Sequence, residues 1–423
     1  MMFRVLPFIV VLLLLSCART YDPLTGKTVY TLLPTQEEIK IGRMYLPLAI
    51  DQNDGRYPDK EVQEYVQKLG KKIAEHAPRK LDYRFYVVNT KQVNAFALPG
   101  GFIFVNRGLI LALDKEDQLA GVLAHELAHV NARHHARFLE KMYGMNILLS
   151  IAGIFAYQTR YGDVLMQFGK IGAQLLSLRW SREHETEADR FGVRFSYEAG
   201  YDPRGLLETF RIFKKLDKVK QPEWLLTHPL PDTRIKNVKK LISQLDLNKP
   251  LIKDSPQFHK IKQKLQKTKT SFDLFYQAKE KLSKNQKIAA LNLVNKSLQL
   301  FPNNNASLTL KAFLLLTEEN YTEGTELAVK AAQLDELYFK PHFFAGYGYF
   351  KLGKYSESVK FLEKARELIP DFPDTYYFLG RDYEALGNLK KAVENYRKAL
   401  KLTDGKRGWE KDAQRRLQRI LGV

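Results

Sequence analysis

The chain has 423 residues, 45% of them hydrophobic and 27% charged. That is the balance of a globular protein rather than a disordered one, and the length exceeds one compact core, so two or three domains are expected. A net charge of +20 asks for an acidic partner such as nucleic acid, an anionic membrane surface or acidic protein, and a single cysteine excludes any intrachain disulfide.

The N-terminus sets the compartment. Arg4 precedes an apolar run, Val5 to Leu15, that suits a secretory signal and is too short to span a bilayer. Leu14-Leu15-Ser16-Cys17 resembles the lipobox of bacterial lipoproteins, which implies removal of residues 1–16 and acylation of Cys17. By the same resemblance, Ala18 points to the periplasmic side of the outer membrane. Export argues against nucleic acid as the partner and for lipid head groups or acidic protein surfaces.

Residues 17–34 read as a tether. Thr35-Gln36-Glu37-Glu38 is a capping box opening a helix to about Leu48. A turn-rich loop and a second amphipathic helix (about 59–76) follow, then a strand over 83–88. Asn94 to Ile110 reads as a hairpin, with two β-prone runs flanking Pro99-Gly100-Gly101. Its first strand, with Phe96, Ala97 and Leu98, is a candidate edge for adding an extended substrate. Asp117 to Val130 reads as a buried helix. Met142 to Tyr157 is apolar but short for a membrane span, so a buried helix or lid is expected, with a membrane-contacting hairpin as the alternative. A helix then runs from about Trp180 to Ala199.

Residues 248–270 are Lys-rich with two prolines and read as a linker. Beyond them a period of 34 appears: Ala278, Ala312, Gly346 and Gly380 form one series, and Ala331, Ala365 and Ala399 another. Small residues at that period resemble the tetratricopeptide repeat, in which they sit where two helices cross. Four repeats are expected over 271–406, with residues 407–423 as a capping helix.

The chemistry lies in His125-Glu126-Leu127-Ala128-His129. On a helix, i and i+4 share a face, so the two imidazoles can hold one metal ion while Glu126 reaches a water beside it. A third ligand is needed, and Glu183, Glu185, Glu187 and Asp189 are candidates. Glu185 and Asp189 are spaced so that one binds metal while the other supports a ligand histidine, but Glu183 and Glu187 share that spacing. His134, His135 and His184 read as packed or solvated.

These motifs resemble the M48 zinc metallopeptidases, and the resemblance implies Glu185 as third ligand to one Zn²⁺, with Asp189 behind it. Leu226 to Arg234 resembles that family's His-Pro…Arg segment. This implies His228 as a resting-state ligand or oxyanion donor, and Arg234 as a hydrogen-bonding group at the site. Lipobox, peptidase domain (35–247) and repeats together resemble the periplasmic β-barrel-assembly-enhancing proteases. The expected fold is α+β, mostly α, with a gluzincin-type domain before an all-α solenoid. The expected function is a lipid-anchored zinc endopeptidase that degrades misassembled envelope proteins, its repeats docking an envelope protein partner. The alternatives are a chaperone or adaptor acting through the repeats, and a membrane-embedded protease using residues 142–157.

Overall fold

A computed structural model of the chain describes residues 18–22, 27–31, 33–142, 171–172, 174–219 and 221–422. The signal, Cys17 and the apolar stretch beyond Met142 lie outside the described residues.

The described chain is mostly helical, with two small sheets. Strands β1 (Ala18–Asp22) and β2 (Lys27–Thr31) form an antiparallel hairpin. Part of the expected tether is therefore a paired element, as its Thr- and Tyr-rich composition on both sides allows. Helices α1 (Thr35–Gln52) and α2 (Lys60–Ala74) follow. The side chain of Asp59 accepts from the Val62 N–H to cap α2, and Val62, Val66, Leu69 and Ile73 give it one buried stripe. The second sheet has the order β3 (Arg84–Val88), β5 (Phe102–Asn106), β4 (Ala95–Leu98), parallel between β3 and β5 and antiparallel between β5 and β4. Gly100 and Gly101, at φ +79° and +102°, turn β4 into β5.

Short α3 (Arg107–Ala112) leads to α4 (Glu116–Asn131), in which every residue is buried. A helix buried on all faces is a core element, and small Ala120, Gly121, Ala124 and Ala128 let its neighbours approach closely. Those neighbours include α2, β4, α5 (Arg182–Glu198) and α6 (Arg204–Asp217). Helices α7 (Glu223–Thr227) and α8 (Asp232–Ile242) complete the domain.

The expected linker is not a loose one. Ile252 exchanges backbone hydrogen bonds with Gly200 and Asp202, at 2.8 Å each. From Pro256 the chain is helical through Ser283 as α9, whose Phe258, Ile261, Leu265, Phe272 and Phe275 enter the same core as α4. Lysine enrichment marks the solvent face of that helix, and the aromatic and aliphatic stripe opposite makes it the first repeat's leading helix.

Four helix pairs follow: α9 with α10 (Lys287–Leu300), α11 (Asn305–Thr317) with α12 (Tyr321–Leu334), α13 (Phe339–Lys351) with α14 (Tyr355–Leu368), and α15 (Pro373–Ala385) with α16 (Leu389–Leu402). Helix α17 (Glu410–Leu421) closes the stack. The 34-residue series sits where helices cross: a Cβ on Gly346 would come within 2.6 Å of Leu362, and one on Gly380 within 2.7 Å of Tyr396.

Repeats and peptidase domain meet through the last turn of α1 and the loop after it. Arg56 pairs with buried Asp335 at 2.7 Å, Lys340 with Asp51 at 2.8 Å and Lys279 with Asp54 at 2.7 Å. Arg56→Ala leaves the Asp335 carboxylate buried without its cation. Thermal or denaturant unfolding is expected to show a loss of about 3 kcal/mol, with much of it recovered in the double variant Arg56→Ala/Asp335→Asn.

Candidate metal centre

Helix α4 carries the two imidazoles. His125 Nε2 and His129 Nε2 face each other at 3.1 Å, and both rings are fully buried. Helix α5 crosses α4 at Gly192, where an added Cβ would stand 3.0 Å from the His125 Cα. Glu185 and Asp189 lie on the α5 face that this contact turns inward. Glu185 Oε1 is 3.4 Å from His129 Nε2, and Asp189 Oδ1 is 3.1 Å from His125 Nδ1. The alternative pair points elsewhere: Glu183 is exposed, and Glu187 bonds His134 and Arg137.

His228, just beyond α7, enters the same cluster. Its Nδ1 is 2.9 Å from Glu185 Oε1 and 3.4 Å from His125 Nε2. The ring stacks on Trp224, with centroids 4.5 Å apart and planes at 14°. His125, His129, Glu185 and His228 are the one group of metal-ligand type among the described residues, with their ligand atoms within 4.8 Å of one another. Tetrahedral zinc with arms of about 2.0–2.1 Å would set its ligand atoms roughly 3.3–3.4 Å apart. Four of the six separations, 2.9, 3.1, 3.4 and 3.4 Å, come near that spacing, and none exceeds 4.8 Å. Glu185 divides its oxygens between the two sides of the site: Oε1 faces His129 and His228, and Oε2 ion-pairs with Arg234.

Glu126 stands beside the cluster without joining it. It accepts from Trp224 Nε1 at 3.3 Å and lies 3.5 Å from His228 Nε2. Burial pushes its carboxyl upward, opposed by the imidazoles of His228 and His125. Burial would raise Glu185 as well, yet His228 and Arg234 hold it well below the ordinary carboxylate range.

Arg234 lies behind the ligand cluster. Its guanidinium grips both Asp189 oxygens at 2.7 Å and ion-pairs with Glu185, so its donors are spent on carboxylates behind the site. Strand β4, which carries the candidate edge, packs beside α4. The bond from Asn106 N–H to the Asn94 carbonyl sets the β4–β5 register so that Ala95 and Ala97 turn their backbone groups to the open edge. The buried His135 imidazole faces the backbone of Ala97, and Ala97 and Leu98 are buried. Phe96 stacks on Phe104 at 4.7 Å.

Sequence reasoning passed over His134. Its Nδ1 lies 2.9 Å from His129 Nδ1 and its Nε2 3.0 Å from Glu187. Trp180 and Trp224, which wall the imidazoles, were missed too, since only the fold brings them to α4.

An imidazole pair on a buried helix, a crossing helix that supplies a carboxylate, and a glutamate kept free of the cluster define a metallopeptidase domain. By sequence, residues 58–242 match peptidase family M48, and residues 340–372 and 373–405 each match the tetratricopeptide repeat. The chain thus carries an M48 zinc-metallopeptidase domain followed by tetratricopeptide repeats. It is 32% identical over 200 residues to the beta-barrel assembly-enhancing protease of Yersinia pestis, covering 44% of this chain and 40% of that one. With the protein of the same name from Escherichia coli (strain K12) it shares 30% over 241 residues, or 53% of this chain and 47% of the relative. With the mitochondrial metalloendopeptidase OMA1 of Arabidopsis thaliana it shares 33% over 178 residues, or 41% and 35%. The chain therefore spans less than half the length of each of these relatives.

Arg234→Ala strips two buried carboxylates of their shared cation. Its unfolding free energy is expected to fall by about 3–5 kcal/mol. Arg234→Lys should recover little, because an ammonium cannot reproduce the paired contacts to Asp189; denaturant titration of both variants checks this.

Proposed function

We propose that this protein is a zinc-dependent endopeptidase of the bacterial cell envelope, anchored through Cys17, that cleaves misassembled outer-membrane or periplasmic proteins. The observation that carries the reading is Glu126: a buried carboxylate held by Trp224 next to four ligand-type side chains, yet outside their cluster. A purely structural metal site has no use for such a group. In this reading His125, His129 and Glu185 hold the ion, and Asp189 with Arg234 steadies His125 and Glu185 from behind. The metal, when bound, acidifies water and polarises the scissile carbonyl. Glu126 takes the proton of the attacking water and returns it to the leaving amine, a task suited to a carboxyl that burial has raised. With a metal bound, His228 would be a further ligand in the place such a water needs, so we read this arrangement as a resting form. His228 must withdraw before cleavage.

The repeats dock protein. Between the leading helices of the first three pairs lies a cavity of about 400 Å³, with Phe275, Leu310, Phe313 and Phe344 on its walls. The lipobox-like Leu14 to Cys17 and the two bacterial relatives support an envelope location. No helix among the described residues is long and apolar enough to cross a membrane. A second reading, a chaperone or adaptor acting through the repeats, gains from the closed state of the site, with His228 at the ligand cluster and His135 on the substrate edge.

Glu126→Gln separates the two. It is expected to retain zinc and to lose cleavage of an unfolded outer-membrane β-barrel protein by about 10²–10⁴-fold, as chelation of the metal should in the wild type. Cleavage that persists in the variant would refute the peptidase reading. His228→Ala is expected to raise kcat/KM on the same substrate several-fold while weakening zinc retention. A loss of activity instead would assign His228 to the oxyanion.

A further inference from the structure

We propose that His134 is a positioning residue: with Glu187 it fixes which nitrogen of His129 carries the proton, and so turns the His129 Nε2 lone pair toward the metal. This rests on the reading of His129 as a ligand and extends it to a side chain outside the H-E-x-x-H motif.

The proton order follows from the chemistry of the chain's end. An ionised carboxylate only accepts hydrogen bonds, and a neutral imidazole has one N–H and one lone pair. Glu187 lies 3.0 Å from His134 Nε2 and also accepts from Arg137 Nη1 at 2.9 Å. The His134 proton therefore sits on Nε2, and its Nδ1 accepts. Across the 2.9 Å contact, His129 Nδ1 must donate, which leaves His129 Nε2 bare. That is the nitrogen facing His125 and Glu185. His125 needs no such intermediary, because the Asp189 carboxylate stands directly at its Nδ1. Each ligand imidazole thus has a carboxylate behind it, one at first hand and one through a second ring.

The backbone is bent to make this contact. On an unbroken helix, residue 134 would lie about 140° round from residue 129, facing away. Instead α4 ends at Asn131, Arg133 adopts φ +57°, and a new helical stretch begins at 134. A left-handed conformation is uncommon for a residue with a side chain and costs about 1 kcal/mol. It is held by the Arg133 guanidinium, which bonds Glu38 at 2.7 Å as well as Thr31 and the Leu33 carbonyl. The ring of His134 is fully buried between His129, His184 and Trp180, which leaves it one orientation.

The test uses the full chain as wild type, His134→Ala, His134→Asn, Glu187→Ala and His129→Ala. Zinc affinity is read by competition with a chelator, and fold by thermal unfolding in excess zinc. His134→Ala is expected to weaken zinc binding 10–100-fold and to lower kcat with little change in KM. His134→Asn, whose Oδ1 can accept from His129 Nδ1, should recover most of both, which a cavity-filling role would not predict. Should His134→Ala fail to fold, Glu187→Ala at the half-buried end of the relay still reports, with a several-fold loss. Wild-type affinity in His134→Ala, or in Glu187→Ala, would overturn the proposal, as would an Asn variant no better than Ala. Zinc binding that is unchanged in His129→Ala would sink the ligand reading and this inference with it.

Discussion

How near α5 comes to α4 decides where every group at the centre stands. The contact is backbone against backbone at Gly192 and His125, where even a Cβ would stand 3.0 Å from the His125 Cα and have to push the helices slightly apart. Glu185 and Asp189 precede Gly192 by seven and three residues, so both fall on the face that the contact turns inward. A shift of α5 by the width of one methyl group would carry the carboxylates away from imidazoles only 3.1–3.4 Å distant. Helix α4 accepts such crowding because it is buried on all sides. Gly121 admits the backbone of α6 at Leu206 much as Gly192 admits α4 to α5.

That closeness has an electrostatic cost. Glu126, Glu185 and Asp189 are all buried within one small volume, and Arg234 is the guanidinium that answers them. Three carboxylates against one fixed cation leave two formal negative charges in a region of low dielectric, an expensive arrangement for a folded chain alone. A divalent ion at the imidazole pair balances them, and its charge would dominate the local field. Burial pushes the carboxyl of Glu126 upward, and the neighbouring His228 and His125 oppose that rise.

What was legible in the sequence was what depends on one element at a time. The imidazole pair and Glu126 are set by helical spacing within α4, and the repeats by a period that each helix pair restates. The choice of Glu185 over Glu183 and Glu187 needs a second element, although Gly192, in phase with 185 and 189, was a usable signal. The leading helix of the repeats was hidden by lysines counted as a composition rather than placed on a face; Phe258, Ile261, Leu265, Phe272 and Phe275 form a helical stripe. His134 was beyond reach for a different reason. Its position depends on the left-handed turn at Arg133, and that turn is held by partners about a hundred residues earlier.

The junction after α1 extends the same logic from the site to the whole chain. The loop that pairs Asp51 and Asp54 with the repeats also bonds to the end of β3: Tyr57 N–H to the Val87 carbonyl at 2.8 Å, and the Asn89 side chain to both the Asp54 carbonyl and Asn305. Strand β3 lies in the sheet whose far edge is β4, the strand beside α4. The cavity among Phe275, Phe313 and Phe344 touches Asp54, Lys279 and Lys340, so the groups that lock the domains together also border that cavity. Helix α9 ties the two halves together directly, because it belongs to the peptidase core and to the first repeat at once.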